Sequence, residues 1–509
     1  MPPTPDGAPE ASSHPTLRPS HPTARPLAQL VDRVPVLRPA GELPSVTGCT
    51  HDSRAVEPGD LYAALPGARV HGADFAAQAV DRGAVAVLTD QEGAARLPAG
   101  VPVLVADDPR AVLGETASWA YGDPSRRLQV LGVTGTNGKT TIAFLLEAGL
   151  RAAGLRTGLL GTVLTRVGEV EIRSTRTTPE ATDLHAMFAA MVERGTQAVA
   201  MEVSSHALAL GRVDGVGFDS AVFTNLSQDH LDFHATLEDY FAAKASLFTS
   251  ARSHRAVVCV DDEHGRRLAA DPHVPTTTYG EAGQWRPVDV DLRADGSSFR
   301  LVGPGRVDVA ASVRLPGAFN VVNAVGALAC LIGAGIPAEA AVSGIAGLAG
   351  VPGRMEPIDE GQDFTALVDY AHTPDAVTTL LSTVRRLTSG RVLVVLGCGG
   401  DRDRGKRPLM GRAAVQGADV AVLTSDNPRS EDPLAILAEM AQPGALVVPD
   451  RRSAIERAVR EARAGDVLVV AGKGHESGQD VAGVVTPFDD RDVLRQALKA
   501  VRAVSGTRA

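Results

Sequence analysis

"LQVLGVTGTNGKTTIAFLLEAGLRAAG", residues 128–154, decides the fold class. LQVLGVT reads as a strand, and TTIAFLLEAGLRAAG carries apolar residues at helical spacing. Between them, Gly135 and Gly138 free the backbone, and Lys139-Thr140 opens the helix. A strand, a glycine loop and a helix make a phosphate cradle. Backbone N–H groups and the helix N-terminus face the anion, the lysine reaches the outer phosphates and the hydroxyl ligates Mg²⁺. The strict pattern G-x-x-x-x-G-K-[ST] is not met, because Val133 stands at its first glycine position. A mere glycine-rich turn is the alternative.

Working outward, strands and helices alternate along the whole chain, which points to mostly parallel sheets in an α/β protein. DLYAALPG, AVAVLTD and VPVLVAD form a first small unit over 27–124. The phosphate loop opens a second, over 125–351, with strands AVAMEVS, AVFTNL and RAVVCVD. TALVDYA, RVLVVLGC, DVAVLTSD, ALVVPD and DVLVVAG form a third, over 352–509. Residues 1–26 are rich in Pro, Ser and Thr, lack the apolar core of a signal peptide and read as a disordered tail.

A net charge of −10 argues against a nucleic-acid surface, which needs a basic face. Small anionic substrates remain open, since they need only a local cationic pocket. Cys49, Cys259, Cys330 and Cys398 are far apart with no CxxC spacing, so buried thiols are expected rather than a zinc site or disulfides. No apolar run is long enough to span a bilayer. A cytoplasmic protein without membrane insertion follows as the expectation.

Several clusters carry chemistry. Glu202 ends an apolar strand beside the loop, where an acid either holds Mg²⁺ or is a solvated loop acid. DHLDFH packs Asp229, His230, Asp232 and His234 into six residues, either as ligands or as a capped helix start. Lys244 stands on a helical stretch among Phe and Leu, the ordinary place for a surface lysine. Asn320 and Asn323 share one face of a helix start, as ligands or as caps. GGDRDRGKRP has Asp401, Arg402, Asp403, Arg404, Lys406 and Arg407 just past a strand end, where ligands bind in α/β sheets and where a solvated charge run also fits. In DNPR, Pro428 fixes its own φ and biases Asn427 toward an extended conformation, so Arg429 is held just past another strand end.

GTNGKT, with these clusters in this order, resembles the Mur ligase family of ATP-dependent amide ligases. The resemblance runs from about residue 45 to 495. It implies three domains: a UDP-binding α/β domain, a central P-loop ATPase with a parallel sheet, and a Rossmann-like C-terminal domain. By resemblance, ATP lies on Gly135, Thr136, Asn137, Gly138, Lys139, Thr140 and Thr141, with Asn320, Asn323, Asp369 and Tyr370 on the nucleoside side. Thr140, Glu202, His230 and, if carbamylated, Lys244 hold magnesium. Lys139, Lys244, His230 and Arg354 carry the catalysis.

HDSRAVEPGDLYAALPG followed by HGADF is similar to the UDP-sugar domain of the branch that adds the third residue to the muramyl peptide. That likeness puts Ser53, Ala68, Arg69, Val70, Thr177, Thr178, Ser204 and Arg212 on a UDP-muramoyl dipeptide. It also puts Arg402, Asp426, Asn427, Pro428, Arg429, Gly472 and Glu476 on diaminopimelate. One departure is Leu210, where some members carry a glutamine that touches substrate. The implied reaction couples ATP cleavage to amide formation through an acyl phosphate, in a monomer without a nucleic-acid partner. Rivals are a lysine-adding relative, a folate polyglutamate ligase and a P-loop switch protein.

Overall fold

The computed structural model describes residues 17–37, 42–67, 69–293 and 295–506. They form two compact units. One takes the described residues up to Leu128 with Pro179–Gly195 and Leu210–Val216. The other takes Gln129–Thr178, Thr196–Ala209 and the described residues from Gly217 on.

In the first unit, strands Gly48–Thr50, Asp60–Ala63, Ala86–Thr89 and Val103–Val105 pair in that order and in parallel. Every residue of Asp60–Ala63 and Ala86–Thr89 is buried, so the strands read as continuous runs rather than alternating ones. Burying Asp60 requires a partner, and Arg18 supplies it at 2.9 Å while also donating to the Tyr121 hydroxyl at 2.9 Å. The tail expected over 1–26 is therefore too long. Residues 1–16 lie outside the described residues, but 17–26 are placed, with Arg18 paired to Asp60. Helix Ala181–Glu193 also belongs here, although strand-helix alternation assigns it to the second unit. Thr182 bonds His51 at 2.8 Å, and the His185 ring meets the Asp214 carbonyl at 3.0 Å.

The second unit holds two parallel sheets. In the first, strands Thr157–Leu160, Ala198–Glu202, Gln129–Thr134, Ser220–Phe223, Ala256–Cys259 and Thr276–Tyr279 run parallel in that order. Leu164–Val167 and Val170–Arg173 add an antiparallel edge. The phosphate-loop strand is thus central, and the Glu202 strand lies beside it. Leu145 and Leu146 of helix Lys139–Ala152 meet Leu328 and Leu331 of helix Ala318–Gly333 in one core, all fully buried. Each such leucine contributes about 1.5–3 kcal/mol of burial. A three-stranded antiparallel sheet, Arg286–Arg293, Gly296–Gly303 and Val307–Val313, follows.

The other parallel sheet orders Thr365–Asp369, Val467–Ala471, Val392–Leu396, Val420–Leu423 and Leu446–Val447, with antiparallel Glu356–Pro357 at one edge. Val392, Val394 and Leu396 enter one core, and Leu393 and Val395 enter another, so both faces are covered. That leaves the carboxyl ends of the strands as the place for ligands. All four cysteines are buried free thiols, as expected.

Candidate active site

Gly135 has φ 145° and Gly138 has φ 89°. A Cβ on Gly135 would collide with the Thr224 hydroxyl, and one on Gly138 would come within 2.6 Å of Asn323 Oδ1. Both glycines are therefore required by geometry as well as by conformation. Lys139 Nζ donates to the Gly135 and Thr136 carbonyls, at 2.9 Å each. Burial depresses its pKa, Arg354 adds to that, and Glu202 and Asp229 oppose it. Thr140 Oγ1 donates to Glu202 at 3.0 Å and accepts from Arg354 at 2.9 Å.

Glu202 is buried and also accepts from the Thr162 N–H at 2.8 Å and hydroxyl at 3.0 Å. The solvated-acid alternative falls. So do the capping asparagines: the cap of helix Ala318–Gly333 is Gly317, while Asn320 donates to the Pro316 carbonyl and Asn323 stands against Gly138. Asp369 accepts the Met355 and Ala371 N–H groups at 2.8 Å each, and burial raises its pKa. The Arg354 guanidinium lies 4.4 Å from the centre of the Tyr370 ring. Of the residues expected on nucleotide and metal, all but Gly135 line one cavity of about 390 Å³.

Lys244 is not the ordinary surface lysine. Its amine is buried, donates to the Gly135 carbonyl at 2.7 Å and lies 4.4 Å from the Tyr240 ring centre. Burial, with Lys139 nearby, holds its pKa well below the usual lysine range. Burial likewise lowers His230 to about 3, against the pull of Asp229, leaving a neutral imidazole. Asp229 is more than a cap, for its carboxylate stands 3.4 Å from His230, 3.6 Å from His372 and 3.6 Å from Lys406. Burial pushes its pKa up, but His372, His230 and Lys406 outweigh that and hold it well below the usual carboxylate value. Among the described residues, no three His, Cys, Asp or Glu side chains form a metal cage.

A second cavity of about 400 Å³ is lined by Arg402, Asp426, Asn427, Arg429, Gly472 and Glu476. Of the residues expected on diaminopimelate only Pro428 does not line it. Thr162, Thr177, Asp229, His230, Tyr370 and His372 line both cavities. Their shared lining sets the two cavities side by side. Asp426 is buried; burial pushes its carboxyl up, but Lys473 and Arg451 outweigh that and lower it.

The charge run divides. Arg407 is wholly buried and donates to Glu431 and Glu439, Arg404 pairs with Glu439, and Asp401 accepts from Ser430, so these three hold loops together. Arg402 and Lys406 face the cavity. Sequence reasoning missed the gathering of His372 and Lys406 on Asp229, whose separations in sequence no local pattern signals.

The residues expected on the UDP-muramoyl dipeptide fall in both units. In the first, Ser53 bonds Gln78 at 2.8 Å and lines a cavity of about 750 Å³ with Val70. Arg69 does not line it, Arg212 pairs with Glu180 at 2.9 Å, and Ala68 lies outside the described residues. In the second, Thr177 and Ser204 line the 390 Å³ cavity, and Thr178 is buried with its hydroxyl on the Glu202 carbonyl at 2.9 Å.

Family models match three successive stretches: residues 45–121 (Mur ligase family, catalytic domain), 133–331 (Mur ligase middle domain) and 353–474 (Mur ligase, glutamate ligase domain). The chain belongs to the Mur ligase family and has its three-domain architecture. Within that family it is similar to UDP-N-acetylmuramoyl-L-alanyl-D-glutamate–2,6-diaminopimelate ligases. A UDP-N-acetylmuramoyl-L-alanyl-D-glutamate–2,6-diaminopimelate ligase of Streptomyces coelicolor is 57% identical over 95% of this chain and 98% of the relative. One of Corynebacterium glutamicum is 49% identical over 88% of this chain and 90% of its own. A solved structure of a ligase of the same name is 36% identical, with a TM-score of 0.65, and covers 92% of this chain and 98% of that one.

Proposed function

We propose that the protein is an ATP-dependent amide ligase joining meso-2,6-diaminopimelate to the D-glutamate of UDP-N-acetylmuramoyl-L-alanyl-D-glutamate, in peptidoglycan precursor synthesis. The observation that carries this reading is the shared lining of the two cavities, which sets a phosphate cradle beside an arginine-bearing amino-acid pocket. An oxygen of the D-glutamate γ-carboxylate attacks the γ-phosphorus of ATP, ADP departs and an acyl phosphate forms. The diaminopimelate amine then adds to the acyl carbon, phosphate leaves with that oxygen, and the nitrogen loses a proton. Lys139 and Arg354 neutralise the charge that develops on the transferred phosphoryl group.

Hard oxygen donors fit Mg²⁺, which is bound through one or two carboxylates and fills much of its remaining shell with phosphate and water. Thr140, Glu202 and His230 would hold it, and it would supply charge neutralisation on the phosphates. Lys244 joins them as a carbamate: its deprotonated amine adds to CO₂ and releases a proton. Ser53, Arg69, Val70, Thr177, Thr178, Ser204 and Arg212 bind the UDP-muramoyl dipeptide. Arg402 and Arg429 meet the distal carboxylate of diaminopimelate, which lysine lacks. A site built on such a contact rejects the analogue by roughly 10⁴-fold. The domain limits near 124 and 351, a monomeric state and a cytoplasmic location belong to the same reading; no helix among the described residues is long and apolar enough to cross a membrane. The test is phosphate release with ATP, Mg²⁺, the UDP-muramoyl dipeptide and either amino acid. Turnover is expected with diaminopimelate; equal rates with lysine would overturn the specificity.

A further inference from the structure

The corner that presents Arg429 is not held by its own strand end. Strand Val420–Leu423 stops short of it, and Arg429 has φ 54°, in the left-handed region that side chains avoid. What over-determines this conformation is a hairpin remote in sequence, Gly478–Val481 paired with Val484–Pro487. The Arg429 N–H donates to the Asp480 carbonyl at 3.0 Å, and the Ala482 N–H donates to the Arg429 carbonyl at 2.6 Å. Gln479 Nε2 donates to the Asp426 carbonyl at 2.7 Å. The Asp480 N–H donates to Asn427 Oδ1 at 3.1 Å, and Lys473 Nζ occupies the second acceptor position of that oxygen at 2.9 Å. Asn427 Nδ2 in turn donates to Glu476 at 2.7 Å.

Asp426, Asn427 and Arg429 of the corner thus each make a hydrogen bond to this hairpin, and Gln479 is its only side chain in the set. Gln479 lines neither cavity. Resting on the function proposed above, we infer that the hairpin 478–487 is a clasp that sets amino-acid specificity, with Gln479 as its positioning residue. It fixes Asp426 at one end while the backbone pairing fixes Arg429 at the other. The aim of the Arg429 guanidinium toward the distal carboxylate of a diamino acid then depends on a side chain the ligand never touches.

The test uses the full chain with Gln479→Met, which keeps the length and removes the donor, and Gln479→Glu, which sets a carboxylate against the Asp426 carbonyl. KM is measured for diaminopimelate, ATP and the UDP-muramoyl dipeptide, with the diaminopimelate-to-lysine ratio and the thermal midpoint. A misplacement of one ångström costs up to about 10²-fold at a reacting site. About a tenfold rise in the diaminopimelate KM is expected for Gln479→Met, and more for Gln479→Glu. The other two KM values should stay within about twofold, the midpoint should hold, and the selectivity ratio should fall. An unchanged diaminopimelate KM, or a proportional change in all three, would overturn the clasp. If the unaltered protein shows no diaminopimelate-dependent turnover, the proposed function itself falls, a result the wild-type arm reads separately.

Discussion

The nucleotide and amino-acid halves of the site treat positive charge in opposite ways. In the nucleotide half, Lys139 and Lys244 donate to backbone carbonyls of the loop, and burial depresses both pKa values. Beneath the amino-acid half, the buried cations have carboxylate partners: Arg407 with Glu431 and Glu439, Arg451 with Asp490, Lys473 with Glu476. Arg402, which is exposed, and Arg429, which is half-buried, instead donate to the Asp401 and Gly400 carbonyls. Cations resting on neutral carbonyls are the ones a ligand's negative charge can claim at little cost. Arg407, Arg451 and Lys473, already paired, are framework, while Lys406, 3.6 Å from Asp229, lines the cavity with a partner. Charge partner, more than exposure, separates function from scaffold here.

Substitutions break or sharpen that division. Lys139→Met removes a donor aimed at developing phosphoryl charge and should lower kcat by about 10³-fold. Steady-state kinetics would check it, and a loss confined to the diaminopimelate KM would place Lys139 on the wrong side of the comparison. Arg451→Met, on the framework side, strands Asp490, whose side chain is 0% exposed. Breaking such a pair costs about 3–5 kcal/mol, while replacing both partners by apolar residues restores most of it. Urea unfolding of Arg451→Met and of Arg451→Met with Asp490→Leu reads the difference.

Arg429→Ala forfeits a charge-assisted contact of about 1.5–3 kcal/mol and should raise the diaminopimelate KM by roughly 10- to 150-fold. The ATP KM should not move, and parallel losses would make Arg429 framework.

The smallest effect is on pH. The Asp229 pKa in the folded chain lies well below its unfolded value, so the folded state gains stability wherever the unfolded carboxyl is ionised. That gain is complete above an unfolded pKa of about 3.9 and is lost as pH falls toward the folded value. Asp229→Asn should flatten the acid limb of the stability curve below about pH 4 and lower stability at neutral pH, where the carboxylate supplies its full gain; urea unfolding across pH reads both.

What the sequence makes legible follows from range. The phosphate loop is a local object, so its strand, glycines, lysine and helix are readable from 27 consecutive residues. Continuous apolar runs likewise announce the parallel strands of all three sheets. Helix Ala181–Glu193 carries no mark of the unit it joins, because the contacts that recruit it reach His51, 131 residues away. The sheet of Arg286–Val313 has strands with exposed outer faces and no long apolar run to betray it. Arg407 and Arg402 look alike in a charge run. Only Glu431 and Glu439, contributed from elsewhere, make one framework and leave the other at the cavity. The DNPR corner shows where Arg429 starts, but its aim comes from a hairpin about 50 residues on.

The central claim is that the two cavities serve one reaction, in which a carboxylate oxygen passes to phosphate before an amine replaces it. The direct measurement is the mass of the phosphate released when the D-glutamate γ-carboxylate carries ¹⁸O and diaminopimelate and ATP are unlabelled. One ¹⁸O per phosphate, released in step with the amide product, is the expected result. Unlabelled phosphate accompanying amide formation would contradict it.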